Sequence, residues 1–117
     1  MTTGALGEDM AADWLHRRGY KIVARNYHAG HDELDIVARQ GNTIVFVEVK
    51  TARTTSFGAP ETWVDERKQQ HIGMAADAFL VEHDLRDVDC RFDVIAIDLS
   101  QSPPRINHIK DAFWLEE

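Results

Sequence analysis

Asp35, Glu48 and Lys50 stand in the stretch LDIVARQGNTIVFVEVK, residues 34–50. Most side chains between the two acids are apolar, so the charges interrupt what otherwise reads as a buried β-hairpin. A carboxylate beside a core is costly to desolvate and needs a compensating partner. Asp and Glu oxygens with no Cys or His cluster nearby select a hard ion such as Mg²⁺ or Mn²⁺. An amino group beside such an ion can hold an attacking water or a phosphate oxygen. Together these are the requirements of metal-assisted phosphodiester hydrolysis.

The hairpin must bring the three charges together. Gly41-Asn42 is a two-residue turn signal, with the glycine supplying the positive φ of a type II′ turn. That turn pairs Gln40 with Thr43, Val37 with Phe46, Asp35 with Glu48, and Glu33 with Lys50. Side-chain alternation then puts Glu33, Asp35, Phe46, Glu48 and Lys50 on one face and Val45, Val47 and Val49 on the other. Opposed Cβ atoms lie about 4.5–5.5 Å apart, and like charges so placed repel. Lys50 could neutralise the pair, open water could screen it, or a cation could sit between the oxygens. Glu33 reads equally well as part of this set or as a plain ion pair with Lys50.

Around the hairpin the chain has a regular order. A first helix is expected over residues 4–18, capped by Thr3, with Leu6, Met10, Trp14 and Leu15 on its apolar stripe and Gly19 ending it. Strands follow over 20–27, 33–39 and 43–50, then a polar loop over 51–63. Asp65 caps a second helix over 66–83, with Ile72, Ala75, Ala76, Phe79 and Leu80 at helical spacing and Val64 stapling its entry. RFDVIAIDL, residues 91–99, reads as a strand covered on both faces, and RINHIKDAF holds a short edge strand. The order α-β-β-β-α-β-β predicts an α/β fold, a mixed central sheet flanked by helices, as one domain over residues 1–117.

Composition limits the partners. No apolar run approaches the ~18 residues of a membrane span, no secretory signal opens the chain, and Cys90 is the single cysteine. A cytoplasmic setting is expected. The net charge is −7, and residues 72–117 hold ten acidic against four basic side chains, which reads as a solvated acidic surface. Such a balance opposes tight non-specific binding to polyphosphate but leaves room for a local basic groove. Arg53, Arg67 and Lys68, around the loop and the start of the second helix, are candidates for backbone phosphate contacts. Arg17, Arg18, Lys21 and Arg25 form a second basic patch. His28 and His31 lack a third or fourth soft ligand, so zinc is not expected. Trp14, Phe79 and Cys90 read as core, Trp63 as a ring that could stack on a base, and Trp114 as a dimer contact.

These residues resemble the bacterial YraN-like family, whose members are uncharacterised and distantly related to archaeal Holliday-junction resolvases in the PD-(D/E)xK nuclease superfamily. The resemblance runs through GALGEDMAADWLHRRGYKIVARNY, ELDIVARQGNTIVFVEVKTAR, FGAPETWVDERKQQHI, RFDVIAIDL and INHIKDAF. It implies a restriction-endonuclease-like fold, with Asp35 and Glu48 as metal ligands and Lys50 as the catalytic lysine. Glu8 would match a further acidic residue near the metal, although its place off the apolar stripe reads as exposed helix surface. The implied activity is a Mg²⁺- or Mn²⁺-dependent endonuclease on DNA, branched DNA included, working as a homodimer without a small-molecule cofactor. The alternatives are a catalytically inactive nucleic-acid-binding module on the same fold and a protein-interaction module, which the net charge favours.

Overall fold

The structure is a computed structural model and describes residues 2–53, 58 and 63–115. Its elements run α1 (Thr3–Arg17), β1 (Lys21–Ala29), β2 (Asp32–Gln40), β3 (Thr43–Ala52), α2 (Glu66–Glu82), β4 (Asp89–Asp98) and β5 (Arg105–Ile109). The strands form one sheet in the order β1-β2-β3-β4-β5, antiparallel except for the parallel β3–β4 pair, whose crossover carries α2. This is the mixed α/β architecture expected, in the expected element order.

The apolar runs of β3 and β4 follow from having a helix on each face. Val45, Val47, Ile95 and Ile97 pack with Ala11 and Leu15 of α1. Their alternating neighbours Ile44, Phe46, Val94 and Ala96 pack with Ile72, Ala75, Ala76 and Phe79 of α2. Asp65 caps α2 as expected, its carboxylate accepting from the Lys68 amide at 2.8 Å. The first helix is capped one residue earlier than expected. Thr2, rather than Thr3, accepts from the Ala5 amide.

The buried line of α1 also differs from the expected stripe. It consists of Gly7, Ala11 and Leu15, while Leu6, Met10 and Trp14 are only partly covered. The cause is close approach: a Cβ on Gly7 would overlap the Thr51 hydroxyl of β3. Gly7→Ala is therefore expected to push α1 off the sheet and cost about 1–3 kcal/mol, read as a lowered urea midpoint.

Several other single-residue expectations are corrected. Cys90 is exposed at the start of β4, as is its neighbour Asp89. Trp14 is half-buried, with the Arg18 guanidinium over its ring. Trp63 is 8% exposed within the α2 cluster, so its ring belongs to the core and not to a surface a base could reach. Strand β3 extends into the expected loop through Thr51 and Ala52; residues 54–57 and 59–62 of that loop lie outside the described residues. Trp114 is exposed.

The acidic last third is not simply solvated. Asp93 is fully buried and receives both Nε and Nη2 of Arg91 at 2.9 Å, His108 Nε2 at 2.7 Å and the Asp111 amide at 3.1 Å. Burial alone would raise the Asp93 pKa, but the His108, Arg91 and Asp111 hydrogen bonds hold it below its usual value. Trp14 Nε1 can only donate, and it points at His108 Nδ1, so His108 gives its Nε2 proton to Asp93. Asp93→Ala would leave the Arg91 charge and the Asp111 amide without this partner. The expected loss is about 3–5 kcal/mol in chemical denaturation.

Candidate metal and nucleic-acid site

The hairpin turn forms as its residues require. Gly41 takes φ 60, and the ladder runs Gln40↔Thr43, Arg39↔Ile44, Ala38↔Val45, Val37↔Phe46 and Ile36↔Val47. Beyond that rung the strands part. The Val49 amide is instead met by the Asp35 carboxylate, which accepts through Oδ2 at 2.8 Å.

The strand faces slip at the same place. On β2, Val37 and Leu34 both pack toward α2, while Ile36 packs toward α1. Opposite them on β1, Ala24 and Tyr27 likewise share the α2 side, with Asn26 between them at φ 52. Strict alternation cannot put residues three apart on one face. The irregularity falls at Asn26 and Asp35, the residues skipped between the Arg25↔Ile36 and Tyr27↔Leu34 pairs. Asp35 thus occupies the gap where β2 leaves β3.

Glu48 lies across this gap. Its carboxyl faces that of Asp35 and lies 3.4 Å from Lys68 Nζ of α2. Burial, the Asp35 hydrogen bond and the Asp35 charge push the Glu48 pKa up to about 8, against an opposing pull from Lys68. Lys68 therefore helps to compensate the opposed acids, a partner that hairpin register alone did not suggest. Lys50 lies two residues further along the same strand and is half-buried. Among the described residues it makes no ion pair. Glu33 approaches His28 at 4.0 Å, so the alternative Glu33–Lys50 ion pair is not formed.

Glu8 is half-buried, not exposed as its helical position suggested. Gly7, one residue earlier, sets α1 directly on β3 at Thr51 and carries Glu8 toward the hairpin. Burial raises the Glu8 pKa, and so do the Asp35 and Glu33 charges, while Arg25 lowers it. Glu8 therefore feels the Asp35 charge across the α1–sheet boundary. Arg53 is exposed and donates to Thr3 Oγ1 at 3.0 Å, tying the end of β3 to the first turn of α1. Arg67 is exposed beside Lys68. In the other basic patch, Arg17 and Arg25 are engaged by Asp13 and Asp9.

The donor set suits a hard cation. Asp35 and Glu48 offer opposed, partly buried oxygens, and Mg²⁺ is commonly held by one or two carboxylates with water and phosphate completing its shell. Among the described residues, no three acidic, His or Cys side chains form a ready-made metal cluster. Glu8 is thus not part of a preformed three-carboxylate cage.

The description "Uncharacterised protein family UPF0102" belongs to a family model that matches residues 7–97, a span containing Glu8, both hairpin acids, Lys50 and Lys68. The chain belongs to UPF0102. This is the YraN-like family whose motifs the sequence resembles. A UPF0102 protein of Geobacter sulfurreducens is 51% identical over 113 residues, covering 96% of this chain and 88% of the relative. Another from Syntrophus aciditrophicus is 44% identical, covering 98% and 91%. One from Dehalococcoides mccartyi is 39% identical, covering 97% and 94%. The UPF0102 match therefore spans the whole arrangement described above.

Sequence reasoning missed two features of the site. The Lys68–Glu48 contact joins a helix to a strand 20 positions away, which no local period reports. Gly7 carried a usable signal: a glycine inside a helix costs stability and so marks a close approach.

Proposed function

We propose that this UPF0102 protein is a divalent-metal-dependent endonuclease that hydrolyses phosphodiester bonds of DNA, with branched DNA among its substrates. The observation that carries the reading is the apposed Asp35–Glu48 pair, set in a strand gap with Lys50 two residues further along β3. Asp35 and Glu48 would hold Mg²⁺ or Mn²⁺, and Glu8 would act through a water. The ion, when bound, supplies a Lewis acid and an acidified water. Lys50, uncommitted among the described residues, would orient that water and balance the charge building on the phosphate. Arg53, Arg67 and Lys68 would contact backbone phosphates, which positions a strand without reading its sequence.

A second reading is a catalytically silent binding module on the same fold. Where that module binds protein rather than DNA, the net charge of −7 and the engagement of Arg17 and Arg25 with acidic partners favour it, and DNA affinity undetectable at low salt with Mg²⁺ present is the expected result.

One assay separates the readings: cleavage of duplex, flap and four-way-junction DNA with Mn²⁺, for the wild type, Glu48→Ala and Lys50→Ala. Lys50→Ala is expected to reduce cleavage about 10²–10³-fold while leaving Mn²⁺ binding in place. Cleavage that survives both substitutions would refute the site. Salt-sensitive DNA binding without any cleavage would favour the binding module.

A further inference from the structure

Glu48 Oε2 has a competitor for any cation it would ligate. Lys68 Nζ lies 3.4 Å from that oxygen, with 12% exposure for the glutamate side chain and 50% for the lysine. The carboxylate is confined by its strand and by Asp35. The lysine backbone is equally fixed, because its N–H donates to the Asp65 carboxylate, but its side chain reaches in from solvent. A cation in the first turn of a helix opposes the macrodipole, so Glu48 supplies what favours this position.

The rest of α2 need not move if Lys68 leaves. Asp32 holds His71 at 2.5 Å, one turn further along, and Ile72, Ala75, Ala76 and Phe79 stay packed on the sheet. A divalent ion bound at about 2 Å from a carboxylate oxygen would leave an ammonium at the same oxygen within roughly 5 Å of it. Two cations at that separation repel, most strongly where water is partly excluded.

We propose that Lys68 is a displaceable counter-ion, which occupies Glu48 in the metal-free protein and is released to a nucleic-acid phosphate when a divalent cation binds. The inference rests on the metal-site reading above and adds a regulation to it. Metal binding and phosphate binding become linked through one side chain, and by reciprocity each strengthens the other. Lys50 and Lys68 then have separate tasks: the first stays beside the pair throughout, while the second changes partner.

The test measures Mn²⁺ binding without nucleic acid, by the spin-resonance signal of the free ion, for the wild type and for Lys68→Gln, Arg67→Gln and Glu48→Gln. Lys68→Gln is expected to bind Mn²⁺ at least about fivefold more tightly than the wild type. Arg67→Gln removes the same charge from the neighbouring position and is expected to change the affinity much less. In the second arm, Ca²⁺ is the divalent probe and four-way-junction DNA the ligand. The wild type gains DNA affinity with Ca²⁺, and Lys68→Gln loses most of that gain. Equal or weaker Mn²⁺ binding by Lys68→Gln overturns the exchange and leaves the metal site standing. If the wild type binds no Mn²⁺, or Glu48→Gln binds it unchanged, the site falls and the exchange falls with it.

Discussion

Glu48→Gln is expected to reduce the proposed cleavage at least about a thousandfold while making the metal-free protein more stable at alkaline pH. The two effects have one cause. Glu48 is held against Asp35 in a half-buried gap, an arrangement that disfavours its ionised form. Glutamine keeps the shape and a hydrogen-bonding group but adds no second negative charge. The stability advantage should be absent near pH 4, grow between the ordinary value of 4.5 and about 8, and level off above that. At pH 9 it should reach about 2 kcal/mol or more, several degrees in Tm. Thermal melts at pH 4, 6.5 and 9, paired with a cleavage assay, give both readouts. A variant that is inactive and equally destabilised at every pH would indicate a packing role for Glu48 instead.

The second large effect concerns protons released on metal binding. In the folded, metal-free protein burial and the Asp35 charge favour the protonated form of Glu48 below about pH 8, so ligation would expel a proton while Lys68 balances the charge that remains on the acid pair. Mn²⁺ affinity should therefore rise roughly tenfold per pH unit between pH 6 and 8 and flatten above, with close to one proton released. Calorimetry in buffers of different ionisation enthalpy measures that proton directly. The metal-free fold shows the opposite trend. A raised carboxyl pKa means that the folded state binds more protons than the unfolded chain between 4.5 and about 8. Stability from this group is thus complete below 4.5 and lost as pH rises through 8, by at most about 1.4 kcal/mol per unit. An Mn²⁺ affinity that does not vary between pH 6 and 8 would contradict the shared-proton arrangement.

The hairpin was readable because two local rules agree on it. A Gly-Asn turn sets the register, and a period of two sets the faces, so the approach of Asp35 to Glu48 follows from counting. Counting failed where the strand stops being regular. The face slip at Asn26 and Asp35 has no periodic signature, and it lets Glu8 on α1 and Lys68 on α2 both influence the same acid pair. Residue size misled the reading of α1. Leu6, Met10 and Trp14 are the bulky apolar candidates, yet the helix comes closest to the sheet where its side chains are smallest, at Gly7 and Ala11. The Asp93 network was hidden for a related reason. Arg91 and Asp93 look like charges at the start of an apolar strand, and their partners Tyr20, His108 and Asp111 lie outside it, with Trp14 of α1 in turn donating to His108.

The parting of β2 from β3 bears on which ions the pocket can prefer. One oxygen of Asp35 is already engaged by the Val49 main chain, which leaves the other the freer to meet an ion and disfavours a chelating grip through both. A small six-coordinate ion that accepts single-oxygen ligands and keeps its own waters suits such a donor; a larger ion seeking seven or eight oxygens is served less well. The main chain of the hairpin would in this way set a size filter, favouring magnesium- or manganese-sized ions over calcium in strength of binding before any substrate arrives.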